Sequence, residues 1–352
     1  YESDACAFFN EVTDMCGIAG EINYSTLTDK KIYESMKDAL RRRGPDQDGV
    51  YLRDYAALVH SRLCVVDIEN GLQPMIFKEC DKEYALVYNG ELYNTEELRR
   101  VLKQKGHSFT GHSDTEVVLH SYIEWGENCA LYMNGIFAFA VWEDAEQKLF
   151  IARDRMGVKP FFYALRGGGF IFASEIKALL KHPLIGPKID INSIAEIMLI
   201  GPGRTPGYGV FCGIEELPPS CCGVFTRESG LKVWEYWCLE DREHTDSFEE
   251  TVEKVRYLVT DSIERQLVSD VPVGTFLSGG LDSSIISAIA DRNFEKQGKK
   301  LQTFSVDYKD NEHYFKANKF QPSSDREFID IMNHHLNAEN HRIVLDTDDL
   351  VD

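Results

Sequence analysis

A glycine- and serine-rich segment late in the chain could bind phosphate groups. Residues 278–284 read SGGLDSS and lie between a strand-like run and a helix-like run. Glycines let the backbone approach an anion, and the start of the following helix directs unpaired N–H groups and a positive dipole at it. The serines add donors, and Asp282 could hold a metal ion that bridges phosphates. The segment lacks the spacing and the lysine of the GxxxxGK[ST] loop, so a ligand-free helix start stays open as the alternative.

Polar residues in the first third of the chain could bind an amino acid and act on its amide. Arg62 suits bidentate binding of a carboxylate. Asn89 and Gly90 could direct a side-chain amide and a backbone N–H at one oxygen, as an oxyanion hole does. Glu91 and Asp114 could accept hydrogen bonds from an ammonium group. Together these residues indicate a site for an α-amino acid undergoing acyl transfer.

Each of these residues also has a purely structural explanation. Asp114 could only complement the dipole of the helix that it begins. Asn89 and Gly90 could form a type I′ turn, and Arg62 could pair with a surface acid. Cys16, taken alone, could be a core residue. The residue types by themselves leave both explanations open.

The segment GPGRTPGYG at 201–209 partly matches a dinucleotide-binding fingerprint. Pro202 and Pro206 remove backbone donors and prevent the regular strand-to-helix turn that such a fingerprint needs. We therefore predict a structured loop.

Short strands interrupted by helices are predicted from residue 16 to about 240. The glycines of RGGG at 166–169 predict a hairpin turn. Asn94 with Glu97, and Ser113 with Glu116, predict capping boxes at two helix starts. Alternating or aromatic runs predict strands at 84–88, 136–142 and 161–164.

The pattern changes after Trp237. Residues 239–250 carry six acids and one arginine, which suits a solvated connector. Ser247 with Glu250 then predicts a capped helix. A parallel α/β unit is indicated by a strand at 274–277, a helix at 283–293 and a strand at 303–307.

Length and composition exclude several classes of protein. The 352 residues suggest two domains, and 58 acids against 38 bases give a net charge of −20, which excludes a general nucleic-acid or anionic-membrane binder. No apolar run approaches the ~20 residues of a membrane helix. The nine cysteines lack zinc-ligand spacing, and the first residues do not resemble a signal peptide. We expect a cytoplasmic protein with reduced thiols.

Several motifs together resemble known families. The motifs MCGIAGEI, RRRGPDQDG, RLCVVD, NGELYN, SDTE and GIFAFAVWEDAEQKLFIARDRMGVKPFFY resemble the class II glutamine amidotransferase domain. SGGLDSS followed by TFSVD resembles the PP-loop ATP pyrophosphatase domain. The pair in this order is similar to the glutamine-hydrolysing asparagine synthetase family. β-Lactam-forming relatives share both domains but lack the N-terminal cysteine, so Cys16 argues against them.

The resemblance implies a fold for each part of the chain. It implies an α+β N-terminal-nucleophile αββα sandwich of two antiparallel sheets at 16–225. A linker at 226–246 would lead to the first part of an α/β parallel-sheet PP-loop ATP pyrophosphatase domain at 247–352. Residues 1–15 would be an upstream extension that is absent from the mature protein.

The resemblance also implies roles in the first domain. The Cys16 thiol would attack the glutamine side-chain amide, with its own α-amine as general base. Asn89 and Gly90 would stabilise the oxyanion. The glutamine-binding residues would be Arg62, Leu63, Cys64, Val65, Val66, Asn89, Gly90, Glu91 and Asp114.

In the second domain, the resemblance implies ATP-dependent adenylation of aspartate. Ammonia from an interdomain tunnel would then displace AMP and form asparagine. Asp282 would lie near Mg²⁺, and family members often dimerise. The ATP-binding residues would be Leu277, Ser278, Gly279, Gly280, Leu281, Asp282, Ser283, Ser284 and Val306.

Two departures from the family pattern matter. Fifteen residues precede Cys16, so its thiol has no free α-amine as the sequence is written. Met15 occupies the position of an initiator, so we expect the mature chain to begin at Cys16. The sequence ends at Asp352, before the family's later synthetase segments, so we expect residues 1–352 alone to bind ATP weakly or not at all and to make no asparagine.

Three functions fit this pattern. The first is asparagine synthetase. The second is a related amidotransferase that amidates another carboxylate, such as a peptide or a cell-wall precursor. The third is a non-catalytic binding module of the same fold, against which Cys16, Asn89, Asp114 and the SGGLDSS segment all argue.

Overall fold

The computed structural model of the protein describes residues 15–79, 81–200, 203, 205–319, 323–346 and 349. They form two compact units, which divide between Asp241 and Arg242. Of the predicted upstream extension, only Met15 lies among the described residues. Every described cysteine is a free thiol. Across these residues, no helix combines the length and the apolar character needed to cross a membrane.

Two antiparallel sheets dominate the first unit. Their strands are β1 (Gly17–Ile22), β2 (Gln47–Leu52), β3 (Ala56–Arg62), β4 (Met75–Glu79), β5 (Lys82–Leu92), β6 (Gly135–Glu143), β7 (Lys148–Arg153), β8 (Phe162–Arg166), β9 (Gly169–Ala173), β10 (Glu215–Glu216), β11 (Cys221–Thr226) and β12 (Gly230–Glu235). The first sheet has the order β10-β8-β9-β1-β3-β2, and the second has the order β12-β11-β7-β6-β5-β4.

Helices connect these strands. They are α1 (Lys30–Leu40), α2 (Thr95–Gln104), α3 (Asp114–Trp125), α4 (Cys129–Tyr132), α5 (Ile176–Leu179) and α6 (Ile191–Ala195). A 3₁₀ turn at Gly126–Asn128 and a π turn at Glu196–Ile200 complete the helical segments described in this unit.

The sheets pack face to face, and helices cover their outer faces. Leu58 of β3 and Trp142 of β6 belong to one buried cluster that fills the space between the sheets. The neighbouring Val59 faces the other side of β3, as strand alternation requires, and packs with Met36 of α1. Val118 of α3 packs on the second sheet. This order of layers confirms the predicted αββα sandwich.

The hairpin turn predicted at 166–169 is present in the structure. Gly167 and Gly168 adopt positive φ angles of 58° and 76° between β8 and β9, as the hairpin prediction requires.

The first unit, however, extends beyond the predicted boundary at 225. Strand β12 lies inside the predicted linker at 226–246 and pairs with β11 along its whole length. The acidic composition that suggested a connector follows this strand and does not include it.

Part of the segment at 201–209 lies outside the described residues, namely 201, 202 and 204. Tyr208 forms a β-bridge with Glu215, and the Thr205 hydroxyl donates to the Glu196 carboxylate at 2.9 Å. The described residues of this segment form a loop and contain no strand-to-helix turn.

A parallel sheet organises the second unit. Its strands are β13 (Gly274–Phe276), β14 (Gln302–Tyr308) and β15 (Glu339–Leu345), in that order and all parallel. Its helices are α7 (Phe248–Arg265), α8 (Leu281–Lys296), α9 (Asn311–Tyr314) and α10 (Asp325–His335). The predicted strand–helix–strand unit is confirmed. Its strands end at one edge of the sheet, where ligands bind in open α/β folds.

Candidate active site

Most of the residues predicted for the amidotransferase site line one cavity of about 100 Å³ in the first unit. Cys64 is the exception, since it does not line the cavity. Its backbone N–H donates to Asp46 Oδ2 at 2.7 Å. The predicted residues at the cavity wall are Cys16, Arg62, Leu63, Val65, Val66, Asn89, Gly90, Glu91 and Asp114.

Cys16 lies just before strand β1, with its thiol at the cavity. The Sγ atom lies 3.6 Å from the carbonyl oxygen of Leu63, and Arg43 Nε donates to the Cys16 carbonyl at 3.0 Å. Burial raises the pKa of the Cys16 thiol to about 11. At neutral pH the thiol therefore keeps its proton, and a nucleophilic role requires a base beside it.

Asn89 provides an unused hydrogen-bond donor at the cavity. Its side chain is 1% exposed, and among the described residues its Nδ2 has no hydrogen-bond partner. Buried polar groups are normally paired, so such a donor indicates a ligand. Asn89 and Gly90 continue strand β5 opposite Ala138 and Phe137, so they do not form the alternative type I′ turn. The arrangement fits an oxyanion hole.

Asp114 presents a carboxylate to the cavity from the first turn of α3. Its Oδ2 accepts from the Tyr88 hydroxyl at 2.8 Å and from the Leu92 N–H at 3.1 Å. The helix itself is capped by Ser113, whose Oγ accepts from the Thr115 N–H at 3.1 Å. Asp114 is therefore not needed as the cap. Burial raises the pKa of its carboxyl.

Glu91 adds a second carboxylate, and Lys159 opposes it. Burial raises the pKa of Glu91, while the positive charge of Lys159 acts in the opposite direction. Lys159 is 6% exposed and lines the same cavity. The cavity thus contains both signs of charge, as a site for a zwitterionic amino acid requires.

The guanidinium of Arg62 is occupied by the protein, which corrects the predicted bidentate role. Its Nη1 donates to Gln47 Oε1 at 2.7 Å and to the Ile68 carbonyl at 3.0 Å. Its Nη2 donates to the carbonyls of Val66 and Asp67 at 2.9 and 2.8 Å. Arg62 therefore organises the loop that lines the cavity. A substrate carboxylate could use its Nε–H, or would have to displace a loop carbonyl.

Sequence reasoning missed part of the cavity wall. Gln73 Nε2 donates to Thr115 Oγ1 at 3.4 Å, and its Oε1 accepts from the Tyr88 N–H at 2.7 Å, so this amide links β5 to α3. Lys159 carries no local signal, because a lone lysine is usually solvated. Its burial follows from tertiary structure. The cavity-lining residues that were not predicted are Met15, Gln73, Tyr88, Thr115 and Lys159.

The predicted phosphate loop in the second unit has the expected local form. Gly279 adopts a φ of 80°, and a Cβ on it would lie 2.8 Å from the Asp325 carbonyl oxygen. Helix α8 begins at Leu281 with Gly280 as N-cap and no side-chain capping bond. Its first N–H groups therefore remain available to an anion. Ser278 Oγ and Ser283 Oγ lie 3.0 Å apart at the loop.

The two predicted adenosine contacts lie in different surroundings. Leu277 is 1% exposed and packs with Ile329 and Leu336, so only its backbone could meet a nucleotide. Val306 lines a cavity of about 190 Å³ at the end of β14.

The described residues include no cluster of three or more metal-ligating side chains. Asp282 is a single exposed carboxylate, which fits Mg²⁺ only where phosphates supply further ligands.

Comparison with known proteins agrees with this geometry. Residues 15–237 match the family described as glutamine amidotransferase domain, and residues 254–352 match the family described as asparagine synthase. Asparagine synthetase [glutamine-hydrolyzing] 3 of Bacillus subtilis is 50% identical over 96% of this chain and 55% of its own length. Asparagine synthetase [glutamine-hydrolyzing] 1 of B. subtilis is 32% identical over 84% of this chain and 46% of its own length. Asparagine synthetase [glutamine-hydrolyzing] 3 of Arabidopsis thaliana is 33% identical over 84% of this chain and 47% of its own length.

The chain thus spans about half the length of the curated relatives that it matches. The amidotransferase match covers more than half of the chain and includes every residue that lines the first cavity. The chain belongs to the glutamine amidotransferase domain family, and a segment that matches the asparagine synthase family follows.

Proposed function

We propose that the protein is a glutamine-dependent asparagine synthetase. It would convert glutamine, aspartate and ATP into glutamate, asparagine, AMP and pyrophosphate. The observation that carries the proposal is the unpaired, buried Asn89 amide in one cavity with the Cys16 thiol and two carboxylates. The match of residues 254–352 to asparagine synthase supports the choice of acceptor. We expect the enzyme to act in the cytoplasm, as a monomer or a homodimer.

The first half-reaction is amide cleavage at Cys16. The α-amine of a chain that begins at Cys16 takes the thiol proton, and Sγ attacks the glutamine side-chain carbonyl. Asn89 Nδ2 and the Gly90 N–H donate to the oxyanion. The amine then gives its proton to the leaving ammonia, which leaves a glutamyl thioester. Water hydrolyses the thioester and releases glutamate.

Processing at Cys16 follows from this chemistry. While Met15 precedes it, the Cys16 nitrogen is an amide and cannot accept a proton. Burial raises the pKa of the thiol to about 11, so spontaneous ionisation is rare at neutral pH. The mature chain must therefore begin at Cys16 for the glutaminase to work.

The remaining charges of the cavity would bind the amino-acid end of glutamine. Glu91 and Asp114 accept from its ammonium group. The Arg62 Nε–H and backbone N–H groups of the loop at 63–66 would donate to its carboxylate. A site of this kind favours a zwitterion over an uncharged amide.

The second half-reaction takes place in the second unit. The loop at Ser278–Ser284 binds the phosphates of ATP, and Asp282 would hold Mg²⁺, which neutralises charge on the pyrophosphate leaving group. The aspartate β-carboxylate attacks the α-phosphorus and forms a mixed anhydride with AMP. Ammonia displaces AMP and yields asparagine. Activation is needed because a carboxylate is a poor electrophile.

A nitrogen-transfer experiment tests the proposal. The full-length protein is incubated with ATP, aspartate and glutamine labelled with ¹⁵N in its amide. We expect labelled asparagine, and we expect Cys16→Ala to abolish labelling from glutamine while synthesis from free ammonia continues. Amidation of a different carboxylate, with no asparagine, would favour the related-amidotransferase alternative. Binding without turnover of either substrate would favour the non-catalytic module.

A further inference from the structure

Lys159 is held at the amidotransferase cavity by two buried side chains. Asp154 Oδ2 accepts from the Lys159 N–H at 3.0 Å, and Arg153 Nε donates to its carbonyl at 2.7 Å. Asp154 and Arg153 are 1% and 5% exposed. Both backbone groups of Lys159 are thus fixed by charged groups in the protein interior. Lys159 is 6% exposed, and burying an ammonium group is costly unless it is paired.

The ammonium of Lys159 lies beside the residue that precedes Cys16. Its Nζ lies 2.9 Å from Sδ of Met15, the residue directly before Cys16. Lys159 and Cys16 line the same cavity and interact electrostatically. When the chain begins at Cys16, the space of the Met15 side chain is vacated. The new α-amine and the Lys159 ammonium then face the same small volume.

Two amines in one cavity oppose each other's protonation. The ordinary pKa of lysine is about 10.4 and that of an α-amine about 7.7–8.0, so the α-amine loses its proton first. Burial lowers the pKa of Lys159, whereas the carboxylate of Glu91 acts to raise it and favours the charged form. A positive charge on Lys159 lowers the pKa of the α-amine.

We propose that Lys159 is a positioning residue whose ammonium keeps the α-amine of Cys16 neutral and able to accept the thiol proton near neutral pH. The inference rests on the proposed glutaminase function. It assigns to Lys159 a role that acts through the α-amine and not through contact with glutamine.

Other charges around Cys16 are shared by wild type and variant, so they do not obscure a comparison. Arg43 donates to the Cys16 carbonyl and forms an ion pair with Glu175 at 3.3 Å. Arg62 and Asp114 also act on the thiol, with opposite signs. The remaining titratable groups at the cavity are Glu91 and Tyr88.

The test is the pH dependence of kcat/KM for glutamate release by the enzyme that begins at Cys16. In Lys159→Met we expect the acidic limb to move up by about 0.5 to 1 pH unit, which lowers kcat/KM on that limb about three- to tenfold. The alkaline plateau and KM should change little. Lys159→Arg, which retains the positive charge, should keep the acidic limb of the kcat/KM profile at its wild-type pH. The matched control is Lys148→Met, since Lys148 pairs with Glu143 at 3.4 Å and does not line the cavity.

A second measurement follows Cys16 directly and does not depend on turnover. The rate of alkylation of Cys16 by iodoacetamide, measured against pH by peptide mass spectrometry, should fall several-fold in Lys159→Met near pH 8 when the chain begins at Cys16. It should fall much less in a form that retains residues 1–15, where Lys159 acts on the thiol only directly. An unmoved limb and unchanged alkylation would overturn the proposal. A large rise of KM with an unmoved limb would also overturn it and would make Lys159 a carboxylate ligand. If the parent enzyme shows no Cys16-dependent glutamate release, the proposed function itself fails.

Discussion

The Tyr88 hydroxyl donates to Asp114 Oδ2 at 2.8 Å, so a buried phenol holds the carboxylate that faces the amidotransferase cavity. Burial raises the pKa of Asp114, and this hydrogen bond lowers it. In Tyr88→Phe the carboxyl should therefore protonate at higher pH and lose its attraction for an ammonium group. We expect KM for glutamine to rise several-fold as pH falls from 7 to 5, more steeply than in wild type. Tyr84→Phe, outside the cavity, is the control, and parallel KM profiles would contradict this role.

Asn89→Leu removes the unpaired donor and keeps a side chain of similar size. Because Nδ2 has no partner among the described residues, few native hydrogen bonds are lost. We expect kcat for glutamate release to fall about 10²- to 10³-fold, as for other oxyanion-hole donors, with KM changed little. Steady-state kinetics with glutamine measure both values. A rise of KM at constant kcat would instead make Asn89 a ground-state ligand.

Arg62→Lys tests whether the guanidinium organises the loop beside Cys16. A lysine has no fork and cannot reproduce four donations to Gln47, Val66, Asp67 and Ile68. We expect the free energy of unfolding to fall by about 2 kcal/mol and KM for glutamine to rise. Denaturant unfolding and steady-state kinetics provide the two readings. Unchanged stability with a raised KM would restore the direct carboxylate contact as the main role.

Gly279→Ala tests the phosphate loop. The φ of 80° strains any other residue, and the new Cβ would lie 2.8 Å from the Asp325 carbonyl oxygen. We expect aspartate-dependent exchange of pyrophosphate into ATP to be lost in the full-length enzyme, while glutamate release continues. Gly298→Ala is a matched control, because its φ is 69° and a Cβ there meets nothing within 4 Å. Equal loss in both variants would attribute the effect to backbone strain alone.

Local sequence signals predicted the helix starts better than their capping bonds. The predicted capping box of Ser113 with Glu116 does not form, because Glu116 accepts from the Thr110 N–H at 2.8 Å. The capping box of Ser247 and Glu250 is present in both of its halves. Asn94 begins a helix, but its amide accepts from the Asn134 N–H and donates to the Tyr132 carbonyl, so it does not cap. A contact 40 residues away competed with the capping bond.

In the candidate site, too, the sequence did not predict contacts that depend on residues elsewhere in the chain. The motifs predicted that Cys16, Asn89 and Asp114 would meet, and they line one cavity. They could not show that loop carbonyls occupy Arg62, because that geometry depends on the path of residues 66–68. Nor could they reveal Lys159, whose burial depends on the tertiary structure.

The most direct test of the central claim is glutamate release from glutamine by three forms of the enzyme. One begins at Cys16, one carries Cys16→Ala, and one retains residues 1–15 as verified by intact mass. We predict release by the first form alone, because only that form combines the thiol with a free α-amine. Equal activity in the form that retains residues 1–15, or activity that survives Cys16→Ala, would contradict the account.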